Sequence, residues 1–390
     1  MKLTLPVKLA PNPEQHAALV ETVHRFNAAC DAIAETAFKE SCANKVKLQK
    51  LIYYDIRERF ALSAQLTIRA ISKVVEAYKR DRSIQPQFRP DGAVPYDERI
   101  MSWKGVEAVS LLTLFGRQII PIRFGEYQAA RLDRRKGQAD LVLRNGTFYL
   151  FVTIDVPEPP QGEVPDYLGV DLGIVNLAVD SDGEVHSGQA VEENRRTFQH
   201  RRRNLQRKQT RSARRKLRRI SGRQKRFQRN TNHVISKTLV RQAKDTGRGI
   251  ALEDLQGIRQ NGKRFRKRQR SRHANWAFFQ LRSFIQYKAQ LSGVPIVLVD
   301  PRNTSRTCPS CGCVDKANRP SQSLFSCRSC GFAGPADHVA ARNIRARAAV
   351  MQPMVPAAQA AEGQAPAFRH GVRDRATLPL TKNISATLLA

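Results

Sequence analysis

The sequence predicts a multi-domain α+β protein, and three observations carry that reading. The N-terminal part repeats apolar residues at helical spacing, in "PEQHAALVETVHRFNAACDAIAETAFKE", "KVKLQKLIYYDIRERF" and "SAQLTIRAISKVVEAYKRD". A middle stretch, "ADLVLRNGTFYLFVTIDVP", sets two strand-like runs around Asn145-Gly146, the pair that best supplies the positive φ angles of a tight hairpin turn. The C-terminal half places short apolar strand-like runs among helical stretches, and two Cys-x-x-Cys pairs interrupt it.

Taken in order, residues 1–10 read as a strand, with "LTLPVKLAPN" (residues 3–12) ending at a turn with two prolines, expected to return to a later sheet. Residues 11–95 hold the helical bundle and a Pro/Gly-rich connector, "SIQPQFRPDGAVPYD". Residues 96–158 read as a small antiparallel, barrel-like β domain, and "EPPQGEVPD" as a linker. A strand-and-helix domain spans 166–303. It opens with "YLGVDLGIVNLAVDSDGEVHSG", read as two strand-like halves joined by a Gly-containing turn. Its basic tract at 194–244 reads as a helical hairpin with a thin apolar seam. "RGIALEDLQG" then forms a buried strand ending in carboxylates, followed by a basic loop at 259–273. The helix "NWAFFQLRSFIQYKAQLSG" and the strand "VPIVLVDP" complete the domain. A cysteine module occupies 304–333, the helix "DHVAARNIRARAAV" falls in 334–350, and 351–390, rich in Ala, Gln and Pro, is expected to be a disordered tail.

Charge narrows the partners. The chain carries 67 Lys+Arg against 34 Asp+Glu, a net charge of +33. Such an excess repels itself in a compact fold unless a polyanion neutralises it, and nucleic acid does so with counterion release. The tract 194–244 contains no acidic residue. A solvated charged helix pair would account for its composition, but the missing countercharge favours a phosphate-facing surface. No apolar run approaches a membrane span, and "MKLTLPVKLAPNPEQ" has no signal core. A cytoplasmic, nucleoid-associated protein with no membrane partner is expected.

Five of the seven cysteines cluster, at 308, 311, 313, 327 and 330, whereas a disulfide scaffold would spread them. Cys308-Pro-Ser-Cys311 and Cys327-Arg-Ser-Cys330 are separated by fifteen residues, and glycines follow both pairs. That spacing is expected of a Cys₄ zinc ribbon, whose four thiolates leave no open position for a catalytic water. Cys313 is spare, and His338 is a ligand only if a thiolate is displaced. Cys30 and Cys42 read as small semi-buried thiols.

Three acidic positions stand out. Asp171 ends the apolar run of "LGVDLG", where a carboxylate costs desolvation unless paired or metal-bound; a turn just past the strand end is the other reading. Glu253 occupies a matching position in "GIALEDL", with Asp254 as the alternative, since neighbours on a strand face opposite ways. Asp337 precedes a helix, where an N-cap role accounts for it alone. Together the three supply hard oxygen ligands suited to Mg²⁺, and two such ions serve phosphodiester hydrolysis.

"GVDLGIVNLAV", "IALEDL", "HANWAFFQLRSFIQYKA", "DPRNTSRTCPSCG", "FSCRSCG" and "ADHVAARNI", in this order, resemble the TnpB/OrfB family of transposon-encoded proteins, relatives of type V CRISPR effectors. The resemblance reaches to about residue 348. It implies an RNase H-like (RuvC) α/β nuclease domain with an inserted zinc ribbon, preceded by a β-barrel wedge domain and a helical recognition domain. It further implies an RNA-guided DNA endonuclease that takes a guide RNA from the transposon locus and cuts double-stranded DNA beside a short adjacent motif. The carried-over catalytic, magnesium-binding residues are Asp171, Glu253 and Asp337, with two Mg²⁺ expected. The zinc ligands are Cys308, Cys311, Cys327 and Cys330. The family often has Asn two residues after the last aspartate, and here that position is Val339. A nuclease-inactive RNA-guided repressor, a strand-transfer transposase and a plain zinc-ribbon RNA chaperone are the rival readings; the sequence leaves the oligomeric state open.

Overall fold

The computed structural model describes residues 1–254 and 278–351. The basic loop at 259–273, the start of the "NWAFF" helix and the tail beyond Met351 lie outside the described residues. The described residues form two compact units, Met1–Val156 and those from Pro157 to Met351.

In the first unit, β1 (Lys2–Leu9) precedes three helices: α1 (Pro13–Lys39), α2 (Lys45–Arg59) and α3 (Ala64–Tyr78). Asn12 starts α1 with a capping box, its side chain accepting from the Gln15 amide while Gln15 answers the Asn12 amide. The helices bury apolar stripes, with Leu19, Val23, Phe26 and Ile33 of α1, Leu48 of α2 and Leu66 and Ile71 of α3 wholly enclosed. Strands β2 (Val94–Tyr96), β3 (Met101–Lys104), β4 (Ala108–Thr113), β5 (Gly116–Arg123), β6 (Arg135–Arg144) and β7 (Thr147–Asp155) follow, with the short helix α4 (Glu126–Ala129) between β5 and β6. With β1 they form one antiparallel sheet, ordered β2-β6-β7-β1-β5-β4-β3. The Tyr96 hydroxyl donates to Leu112 O at 2.9 Å, and Leu112 N donates to Ile100 O, so the two ends of the sheet nearly close. Asn145 (φ 49°) and Gly146 (φ 75°) make the β6–β7 turn between paired Arg144 and Thr147.

The second unit is built on a five-stranded sheet. Its strands are β8 (Tyr167–Asp171), β9 (Asn176–Asp180), β10 (Val185–Ser187), β11 (Gly249–Glu253) and β12 (Ile296–Val299), ordered β10-β9-β8-β11-β12. The opening segment therefore contributes three strands, not two halves. β8, β9 and β10 pair antiparallel, while β8, β11 and β12 are parallel. Between β10 and β11 the basic tract folds as α5 (Gln189–Lys208), α6 (Arg211–Ile220) and α7 (Arg223–Asp245). The expected hairpin is thus three helices. Gln209 in the left-handed region ends α5, Thr210 caps α6, and Gly222 (φ 77°) breaks the chain again before α7.

Alternation along the strands decides which residues share a face. Leu168, Val170, Ile250 and Leu252 face α7 and α8 (Phe278–Ser292), packing against Leu239, Val240, Leu281 and Ile285. Tyr167 and Ala251 face the other way, with Val297, Val299 and residues Ile344 and Ala348 of α9 (Ala336–Val350). Gly169 lies on this second face. A Cβ there would stand 2.2 Å from Ala341 O and 2.6 Å from Arg345 N, so α9 crosses the strand backbone to backbone. Gly169→Ala is accordingly expected to destabilise this unit by about 3 kcal/mol through overpacking. A guanidinium melt checks it, and a midpoint equal to wild type would show that α9 yields freely.

Candidate active site and metal centre

The same alternation that puts Gly169 under α9 puts Asp171 there, two residues on, at the C-terminal end of β8. Glu253 ends the adjacent parallel strand β11, where Leu252 pairs with Val170, so the two carboxylates emerge side by side at one sheet edge. Asp337 sits in the first turn of α9, one turn before the Ala341 carbonyl that meets Gly169. It is not the N-cap: Pro335 holds that position, and no side chain caps the helix. The Asp337 carboxylate instead accepts from Asn176 Nδ2 at 2.9 Å and pairs with Arg319 at 3.5 Å. Asp254 points to the opposite face and pairs with Arg282 of α8 at 3.0 Å, which separates it from Glu253.

Glu253 is held by the buried Thr304, whose hydroxyl donates to Oε1 at 2.5 Å. Asn343 of α9 in turn donates to the Thr304 and Thr307 carbonyls, so the helix fixes the segment that orients Glu253. Burial pushes the Asp171 carboxyl up to about 7, with the negative charges of Glu253 and Asp337 adding to it and Arg319 opposing. Burial also raises Glu253, against the Thr304 hydrogen bond and the charges of Arg347 and Arg319. Arg319, a residue the sequence reading passed over, is the cation that touches Asp337 and acts on both other carboxylates. Its guanidinium also donates to Gln322 O at 2.9 Å, so the cysteine module carries it.

A pH dependence follows. Asp171 binds its proton more tightly folded (about 7) than unfolded (about 3.9), so the stability it contributes is complete below pH ~4 and lost as pH rises toward 7. Without added divalent cation, Asp171→Asn should outlast wild type on heating by a margin that widens from pH 5 to pH 7.5. Melting curves at these two pH values test it; a constant margin would refute it.

The cysteine module has its own small core of Cys308, Phe325, Cys327, Ala336 and Val339, with strands β13 (Leu324–Ser326) and β14 (Ala333–Pro335) paired antiparallel. Val339, at the position where the family often has Asn, is buried in this core and joins α9 to the module; the polar contact to Asp337 comes from Asn176. The sulfurs of Cys308 and Cys330 lie 3.6 Å apart, as do those of Cys311 and Cys327. A tetrahedron of thiolates about 2.3 Å from a central zinc has edges close to this length. Gly312 and Gly331, both with φ 74°, make the two knuckle turns. Among the described residues these four are the group of His, Cys, Asp and Glu side chains whose donor atoms gather within 4.8 Å of one another. The three carboxylates are not drawn together that tightly. Cys313 stays outside the set, and His338 turns away to Ser181 O at 3.2 Å. Among the described residues no helix is long and apolar enough to cross a membrane.

A solved Cas12f1–sgRNA–target DNA complex resembles the chain with a TM-score of 0.55 at 14% identity, covering 84% of this chain and 82% of that one. The class defined is a Cas12-like, multi-domain α+β architecture. Residues 278–344 match the Cas12f1-like TNB domain and residues 150–259 the OrfB_IS605 family, described as a probable transposase. The TnpB-like protein MJ0751 of Methanocaldococcus jannaschii is 37% identical over 128 residues, 33% of this chain and 45% of that protein. The CRISPR-associated endodeoxyribonuclease Cas12f1 of Sulfoacidibacillus thermotolerans is 41% identical over 119 residues, 30% of this chain and 26% of its own length. Over these segments the chain is similar to TnpB/OrfB-family proteins and to the related type V effectors. It spans less than half the length of these two curated relatives.

Proposed function

We propose that the protein is an RNA-guided DNA endonuclease of a transposon, cutting guide-matched double-stranded DNA beside a short adjacent motif by Mg²⁺-dependent phosphodiester hydrolysis. The observation that carries this reading is the meeting of Asp171, Glu253 and Asp337, from two strand ends and one helix, where burial, helped by the two neighbouring charges, raises Asp171. The sheet order, with three antiparallel strands followed by two parallel ones, supports an RNase H-like (RuvC) unit. Names of relatives that include an endodeoxyribonuclease, and a structural neighbour solved with sgRNA and target DNA, support the substrate and partners.

The carboxylates supply the hard oxygen ligands that Mg²⁺ takes, and two such ions serve phosphodiester hydrolysis. Mg²⁺ bound there would activate water and stabilise the leaving oxygen. Asp171, Glu253 and Asp337 would hold the metal. Thr304 and Asn176 fix the orientation of Glu253 and Asp337, and Arg319 stands at the edge of the site as a fork able to meet a phosphate. The four cysteines hold a structural Zn²⁺. The first unit supplies the helical recognition and wedge parts, and the basic helices of 194–244 lie along the nucleic acid. The protein works in the cytoplasm, at the nucleoid.

Sequencing the RNA that co-purifies with the protein, then assaying a matched plasmid with Mg²⁺, tests the proposal. A discrete locus-encoded RNA that directs cleavage is expected. Matched DNA that is bound but left intact would instead indicate a repressor, and guide-free integration of donor ends a transposase.

A further inference from the structure

The basic tract contains twenty lysines and arginines between 194 and 244, yet it also encloses an apolar cleft. The helices around it form almost no core: α5 buries no residue and α6 only Ala213. Their apolar side chains are therefore left near the surface, and several meet in one place. Phe198 of α5 with Leu217 and Ile220 of α6 line a cleft of about 210 Å³, and Arg202, Gln206 and Gln224 also border it. Phe198, Arg202 and Gln206 follow one another at steps of four along a single stripe of α5.

The volume is below the ~300 Å³ at which drug-sized ligand sites begin. It suits one planar ring system. An aromatic ring and aliphatic walls can stack such a ring, amide side chains at the border can bond its edge, and the surrounding cations can hold phosphates on either side. We propose that this cleft is a binding site for a single unpaired nucleobase of the strand that the basic helices hold. The occupant is an unstacked base with its flanking phosphates, from RNA or from single-stranded DNA. The inference rests on the nucleic-acid role given above to the basic tract, and requires neither a guide nor cleavage.

The full chain is titrated, without guide, target or Mg²⁺, with short fluorescent oligouridine, oligothymidine and abasic strands of equal phosphate number. Wild type is expected to prefer a base-bearing strand over the abasic one by on the order of tenfold. Ser221, exposed at the cleft, becomes tryptophan in S221W, which fills the space from outside the helix seam. This variant should lose several-fold of that preference while its salt slope, which counts phosphates, stays unchanged. Leu217→Phe, narrowing the cleft from within, should act in the same direction, and circular dichroism confirms that both variants fold. Preference for the uridine strand assigns the base to RNA, preference for the thymidine strand to DNA, and equal binding to either. Full base preference in both folded variants, or none in wild type, overturns the proposal while leaving the endonuclease reading standing. A loss of guide-dependent cleavage in an otherwise base-selective protein would do the reverse.

Discussion

Asp171→Ala is expected to lower guide-dependent cleavage of a matched plasmid by a factor on the order of a thousand, with guide and target binding within about twofold of wild type. The reasoning is electrostatic. Burial above all, with the charges of Glu253 and Asp337 adding to it, raises the proton affinity of Asp171, so its ionised form is the one most in need of a cation. A divalent ion stabilises transition-state charge by several kcal/mol, and each ~1.4 kcal/mol is tenfold in rate. Glu253→Gln and Asp337→Ala should fall in the same direction, because each removes one charge but leaves the fold. Single-turnover cleavage alongside filter binding separates the two effects. Full activity in any one variant would remove that residue from the mechanism.

Cys308→Ser is expected to abolish cleavage nearly as completely, although the sulfur lies outside the carboxylate cluster. Cys308 is buried in a core that includes Ala336 and Val339, which flank Asp337 in sequence. The same module carries Arg319. Structural zinc contributes apparent binding free energies of about 10–16 kcal/mol in small modules, so its loss should unfold the module rather than soften it. Bound zinc measured by elemental analysis, the melting temperature and cleavage should all drop together in Cys308→Ser. Cys313→Ser, outside the ligand set, should retain all three. A zinc-free variant that still cuts would show that the module does not position Asp337.

What could be read in the sequence was what depends on neighbours in the chain. The Asn145-Gly146 turn and the two cysteine pairs are local chemistry, and both occur in the structure as their spacing implies. Alternation alone could not tell Glu253 from Asp254, and the family resemblance supplied the choice of Glu253. The structural reason is non-local: Arg282, 28 residues on, pairs with Asp254. Arg319 lay hidden among many arginines, and nothing within a few residues of it signals its reach to Asp337. A hairpin has one break, and the structure has two. The break before α7 carries Gly222, whereas the one after α5 falls at Gln209, which adopts a left-handed conformation without being glycine, so composition gave no warning there. Asp337 was expected just ahead of its helix, where it could cap it, but it lies inside the first turn, since Pro335 after the β14 pairing holds the N-cap.

The crossing of α9 over Gly169 also sets when the site can exist. Asp171, Glu253 and Asp337 leave the ribosome in that order, and synthesis at about 5–20 residues per second puts on the order of ten seconds or more between the first and the last. Once residue 245 is made, a nascent chain already displays its basic helices, yet it lacks the rod that brings the third carboxylate to the sheet. On the proposed function, a chain whose synthesis stops there keeps its basic surface but has no complete set of carboxylates.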